Sequence, residues 1–165
     1  MKQLKLIGLV TVVIMLLGMV AAHRSGQSRC GGFEAGQRRS TMYAISGRNP
    51  QYLIDEQVKG APFIKRAGLE AIPTGYMLIE SGPLTSVQFI SGSLPIPRSK
   101  PDIACAHALA AQYLGMQLVY LEAGSGAGQP VPVDMGKAVA GTIDIPVLGG
   151  GGLRSPEDCA ARVAA

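Results

Sequence analysis

The chain has no cysteine pair at metal or redox spacing. Cys30, Cys105 and Cys159 are odd in number and far apart, which excludes a CxxC zinc or dithiol site and a dense disulfide framework. Cys105 and Cys159 fall among alanines in helical patterns, as small packing residues of a reducing compartment do. Interleaved aromatics are missing around the basic cluster Arg24, Arg29, Arg38 and Arg39, and no nucleic-acid module accompanies it. The net charge of +4 is therefore local and does not imply nucleic acid. No repeat period links the 22 glycines and 11 prolines, which excludes collagen and implies tight turns between short elements. At 165 residues the chain also lacks the length of a complete eight-fold α/β barrel, which usually needs roughly 250.

One long apolar run is present. Lys2 and Lys5 precede it, Leu6 to Ala22 is interrupted only by Thr11, and Val20-Ala21-Ala22 is an acceptable small-residue cleavage pattern. Residues 1–22 thus have the shape of a signal peptide. The run also reaches the lower length limit of a membrane anchor, and a third reading takes it as the product of a truncated or misassigned reading frame joined to a cytoplasmic fragment. Orientation stays open, because Lys2 and Lys5 on one side are matched by Arg24 and Arg29 on the other. Residues 23–40 have no hydrophobic period and are expected to be a linker, with the folded domain over 41–165.

From Asn49 onward the pattern is regular. Asn49-Pro50 opens a predicted helix through Leu53, Ile54, Val58, Ala61 and Ile64 that closes at Gly68, with Pro62 expected to kink it. Tyr76 to Ile79 is a predicted buried strand, and the alternation of Val87 and Phe89 predicts a hairpin or lid loop up to Pro97. Pro101 to Gly115 is the next helix, Gln117 to Leu121 the next strand, and Pro132 to Gly141 a short helix. Ile143 to Leu148 is a β-branched strand, and Ser155-Pro156-Glu157-Asp158 opens a final helix with Ser155 as cap and Asp158 at the capping-box position. Strands alternating with helices imply βαβ units and a parallel sheet, either a barrel or a doubly wound sheet.

Two glycine-containing turns directly follow predicted strands: Tyr120-Leu121-Glu122-Ala123-Gly124-Ser125-Gly126 and Gly149-Gly150-Gly151-Gly152-Leu153-Arg154-Ser155. Parallel α/β folds carry their sites at the C-terminal strand ends, where glycines let backbone amides approach a phosphate. The second turn leads into the Ser155 helix, whose amino end favours an anion. Glu122 is the candidate for taking a hydroxyl proton or gripping a polyol, and Tyr120 falls on the same side of the strand, so Glu122 and Tyr120 are the candidate catalytic pair. Arg98 and Lys100 are candidates for a second anion, and otherwise belong to a solvated loop. His107 has no partner at metal-ligand spacing and is expected to be a structural helix residue.

Several motifs, in order and nearly without gaps, resemble geranylgeranylglyceryl phosphate synthases. They are Ser46-Gly47-Arg48-Asn49-Pro50-Gln51-Tyr52-Leu53-Ile54, Ile72-Pro73-Thr74-Gly75-Tyr76, Pro95-Ile96-Pro97-Arg98 with Lys100-Pro101-Asp102, Tyr120 to Gly126, and Gly150 to Arg154. The resemblance implies a modified TIM barrel, here incomplete with about four βα units behind an N-terminal hydrophobic helix. It implies a prenyltransferase of ether-lipid synthesis that joins sn-glycerol 1-phosphate to a polyprenyl diphosphate. Magnesium is the implied cofactor, with a cytoplasmic location, or a membrane-anchored or exported one if the leader acts. Its implied glycerol 1-phosphate residues are Tyr120, Leu121, Glu122, Ala123, Gly124, Ser125 and Gly126, with Gly150, Gly151 and Gly152 in the next loop. By that comparison the chain carries the family's fourth through seventh strands, without the Asp-Pro-Asp strand end that binds magnesium and without the last strand. The implied partners are the two substrates, a membrane surface and a homo-oligomer. The reading from another class is a non-catalytic, membrane-anchored phosphate-binding remnant, and a sugar-phosphate isomerase is disfavoured by the Tyr120 to Gly126 motif.

Overall fold

A computed structural model of the chain describes residues 38–124 and 127–163. The apolar run at 6–22, Cys30, and most of the expected linker lie outside these residues, as do Ser125 and Gly126. Among the described residues no helix is long and apolar enough to cross a membrane.

Four strands, β1 (Arg38–Ala44), β2 (Glu70–Leu78), β3 (Leu118–Glu122) and β4 (Val147–Gly150), form one parallel sheet in the order β1-β2-β3-β4. Each strand lies beside its predecessor, with no reversal of strand order. A doubly wound sheet needs such a reversal, so this winding is that of a barrel arc. The helices are α1 (Asp55–Arg66), α2 (Ser86–Ser91), α3 (Pro101–Tyr113), α4 (Val133–Ala140) and α5 (Pro156–Val163).

The core lies between one face of the sheet and helices α3 and α4. Met77, Val119 and Leu121 from the strands meet Ala104, Ala108 and Ala111 of α3 and Met135 and Val139 of α4. Alanines on α3 let the helix sit close to the sheet, and Gly75 completes the approach. A Cβ at Gly75 would come within 2.9 Å of the Ala111 Cβ, 3.1 Å of the Met116 sulfur and 3.2 Å of the Ile45 Cδ1. Gly75→Ala is therefore expected to cost about 1–3 kcal/mol through overpacking, read as a lower urea midpoint with an unchanged slope.

Local chemistry moved several boundaries from their expected places. Asn49 caps only a 3-10 turn, Pro50–Tyr52, by accepting the Gln51 N–H at 3.1 Å, and α1 then runs through Pro62 to Arg66 without a break. Gly68, in the left-handed region at φ +62, follows its end as expected. The first strand begins at Arg38, upstream of the expected domain start at Thr41. β2 extends back to Glu70, and Pro73 is tolerated because only β1 flanks it there, the pairing with β3 starting at Thr74.

The expected hairpin at Val87 and Phe89 is the helix α2. Thr85 Oγ1 accepts the Gln88 N–H at 3.4 Å and Gly92 closes the helix at φ +57, so caps at both ends outweigh a short alternation. The excursion returns at Ile96, which bridges Ile79 in parallel rather than antiparallel sense. The last strand is shifted to Val147–Gly150. Pro146 supplies no N–H, and Asp144 is tied to α3 instead, its N–H donating to Gln112 Oε1 at 2.7 Å and its carboxylate accepting from Gln112 Nε2 at 3.0 Å.

Candidate functional site

Parallel register brings the ends of β3 and β4 together. Glu122 pairs with Gly150, and the ladder continues as the Ala123 N–H donates to the Gly150 carbonyl at 3.0 Å. The two glycine turns that follow these strands therefore leave the sheet side by side. Gly151 and Gly152 have φ of +80 and +69, and Gly124 has +101, conformations that an L side chain resists.

The junction is close enough that a methyl group would not fit. A Cβ on Gly151 would lie 2.5 Å from Glu122 Oε1, 2.7 Å from the Gly124 nitrogen and 2.9 Å from the Ala123 nitrogen. A Cβ on Gly150 would strike the Tyr120 hydroxyl. Gly124 is backed by Thr85, whose Cγ2 would be 2.6 Å from a Cβ placed there, and Gly152 is backed by Gln129 and Pro130. Glycine in these turns is thus required by contact as well as by φ.

Glu122 is the half-buried acid at this junction. Its Oε1 accepts the Gly124 N–H at 2.6 Å, a charge-assisted bond that fixes the carboxylate against its own turn. Tyr120, two residues earlier on the same face, lies near enough to Glu122 to feel its charge, and its ring stacks on Tyr76 with centroids 5.8 Å apart and an 18° interplanar angle. Burial, then the Glu122 charge, holds the Tyr120 hydroxyl well above the usual tyrosine range. Burial, then the charge of Glu122, does the same to Tyr76. Both phenols therefore stay protonated near neutrality, which leaves Glu122 as the group here able to accept a proton.

Leu121 and Ala123, also within the expected glycerol-phosphate motif, are buried on the helix-facing side and belong to the core. They shape the turn through backbone alone. Ser125 and Gly126 lie outside the described residues. Arg154, at the end of the second turn, donates from Nη2 to the Ala127 carbonyl at 3.3 Å, tying the two turns together. Ser155 accepts the Asp158 N–H at 3.1 Å, and Asp158 reaches back to the Arg154 N–H at 3.1 Å, one residue beyond the expected box.

Arg98 is held by Glu80, with Nη1 on the Glu80 carbonyl at 3.1 Å and its N–H on the Glu80 carboxylate at 3.3 Å, while Lys100 is exposed. His107 is half-buried with Nδ1 2.8 Å from the Ile103 carbonyl, a helix-surface contact. Among the described residues no group of three or more His, Cys, Asp or Glu side chains is placed to hold a metal. Two contributors were not singled out by sequence reasoning. Tyr76 could have been found from strand alternation, since its register partner is Tyr120. Thr85 carries no local signal of its contact with Gly124, because the contact is made between separate connections.

The geometry can be set beside known proteins. A profile of the PcrB family matches residues 40–165. The chain is 50% identical over 113 residues to the geranylgeranylglyceryl phosphate synthase of Spirosoma linguale, covering 68% of this chain and 45% of that protein. It is 50% identical over 124 residues to the enzyme of the same name from Thermococcus kodakarensis, covering 75% and 48%. The crystal structure of the Thermoplasma acidophilum synthase in complex with its substrate sn-glycerol-1-phosphate superposes with a TM-score of 0.70 at 35% identity, covering 75% of this chain and 49% of that one. The wild-type Thermoplasma volcanium protein gives 0.71 at 33% identity, covering 76% and 49%. The chain spans about half the length of the curated relatives it matches.

Proposed function

The chain belongs to the PcrB family, and on that premise we propose that it carries the glycerol-phosphate half of a prenyltransferase that joins sn-glycerol 1-phosphate to geranylgeranyl diphosphate. One observation carries the reading: the Glu122 carboxylate is held by the Gly124 amide beside two left-handed glycines of the neighbouring strand's turn. That junction puts the part-buried turn glycines Gly151 and Gly152, whose backbone suits a phosphate, next to an acid that suits a hydroxyl.

In the reaction, the glycerol hydroxyl oxygen attacks the first carbon of the prenyl chain. A carbon–oxygen ether bond forms, the bond to diphosphate breaks, and diphosphate leaves with the electron pair. Glu122 accepts the hydroxyl proton. Tyr120, kept neutral by burial and by the Glu122 charge, presents its phenol beside the carboxylate and can donate to it as the proton moves. The stack on Tyr76 holds the Tyr120 ring in place. Magnesium would supply charge neutralisation at the leaving diphosphate, but the described residues offer no ligand set, so none of them is assigned to it.

That same lack of an acid cluster among the described residues favours a second reading, in which the chain binds the phosphate without turnover. Calorimetric titration of the full chain with sn-glycerol 1-phosphate, sn-glycerol 3-phosphate and inorganic phosphate tests the site. Saturable binding strongest for sn-glycerol 1-phosphate is expected, and no heat with any of the three sinks the reading. Ether product on adding geranylgeranyl diphosphate and magnesium supports the transferase, whereas binding without product supports the second reading.

A further inference from the structure

The connection from β2 to α3 is unusually apolar at its surface. Phe89 is 75% exposed, Leu94 70%, Leu84 64% and Ile90 47%. Single exposed apolar residues are ordinary, but these share one six-residue helix and its flanks. The helix is only about 9 Å long, so the side chains share a small area. An unfinished sheet edge does not explain them, because β2 is paired on both sides, by β1 and by β3.

Past Glu80 the charge on this connection has one sign. From Ser81 to Lys100 there is no Asp or Glu, and the charged residues are Arg98 and Lys100. Glu80, at the near end, turns its carboxylate to the Arg98 backbone N–H and its carbonyl to the Arg98 guanidinium, and Asp102 lies beyond in the first turn of α3. The position is set by Thr85, which packs on Gly124 and so seats this apolar patch at the mouth of the glycine junction.

We propose that the Leu84 to Lys100 connection is a membrane-docking surface, with Leu84, Phe89, Ile90 and Leu94 entering the headgroup region of an anionic bilayer and Arg98 and Lys100 meeting lipid phosphates. Aromatic and aliphatic side chains rimmed by basic ones are what interfacial binding requires. Docking stands on exposure and charge. Its purpose, delivery of a membrane-dissolved prenyl substrate to Glu122, rests on the function proposed above.

The chain contains no tryptophan, so Phe89→Trp places a single tryptophan, excited apart from the tyrosines, in the patch. The full-length variant is mixed with vesicles of phosphatidylcholine alone, or with phosphatidylglycerol added, with and without brominated acyl chains. Emission should move to shorter wavelength and lose most of its intensity to brominated lipid only with the anionic vesicles, and Arg98→Gln with Lys100→Gln should weaken that preference. Tyr113→Trp, exposed at the far end of α3, should show neither change, which separates docking here from insertion of the apolar leader. Unshifted emission at position 89, equal quenching at 113, or a shift at 89 that grows with protein concentration without vesicles would each overturn the proposal, the last by showing a second copy on the patch. Repeating the glycerol 1-phosphate titration on the Phe89→Trp chain keeps the two ideas apart: retained binding with failed quenching removes the docking alone.

Discussion

Alanine at Gly151 is expected to abolish measurable glycerol 1-phosphate binding and to lower stability together. The residue sits at φ +80, where a Cβ carries backbone strain of about 1–3 kcal/mol. The added methyl would also lie 2.7 Å from the Gly124 nitrogen and 2.9 Å from the Ala123 nitrogen. Those atoms cannot retreat easily, since the Ala123 N–H is bonded to the Gly150 carbonyl and the Gly124 N–H to Glu122. The softest neighbour is the Glu122 carboxylate, 2.5 Å from the methyl, and its displacement breaks its bond to the Gly124 amide. An affinity loss beyond about a hundredfold corresponds to about 2.8 kcal/mol, within the range that strain and overpacking supply. Calorimetry and a thermal melt on the same preparation read both effects, and native values in both would show that the junction is looser than described.

Glu122→Gln separates binding from chemistry. The amide keeps the size of the side chain and an oxygen for the Gly124 N–H, but it cannot take a proton. Replacing a charged acceptor by a neutral one weakens its hydrogen bonds, so affinity for glycerol 1-phosphate should fall by about tenfold, from a loss near 1.4 kcal/mol. Turnover, in any assembly of this chain that forms the ether product, should fall by about a further 10²–10⁴-fold, the usual contribution of a positioned general base. The split appears as a kcat defect larger than the KM defect. If kcat stays native while KM rises, Glu122 grips the polyol and another group takes the proton.

Much of the candidate site could be read before any fold was known, because its parts are contiguous. Tyr120 through Gly124 and Gly150 through Gly152 each sit on a single strand end, and two-residue alternation alone puts Tyr120 and Glu122 on one side. The helix caps were legible for the same reason: Ser155 and Asp158, or Gly68 and Gly115, act over a few residues of backbone. Errors came where local signals competed. Val87 and Phe89 alternate as a strand does, yet the Thr85 cap and the left-handed Gly92 make a helix, and the β-branched run at Ile143 loses its first residues to the Gln112–Asp144 bonds.

Sequence by itself determined the alternation of strands and helices, the identity of the glycine turns and the acid beside them, since these follow from side-chain period, backbone freedom and charge along the chain. Tertiary structure alone decided that the strands wind in one direction, that Glu122 faces Gly150 and Gly151, that Tyr76 stacks on Tyr120, and that Thr85 closes on Gly124. Register and layer packing set those contacts, and both depend on how distant segments share one core, which no local pattern encodes.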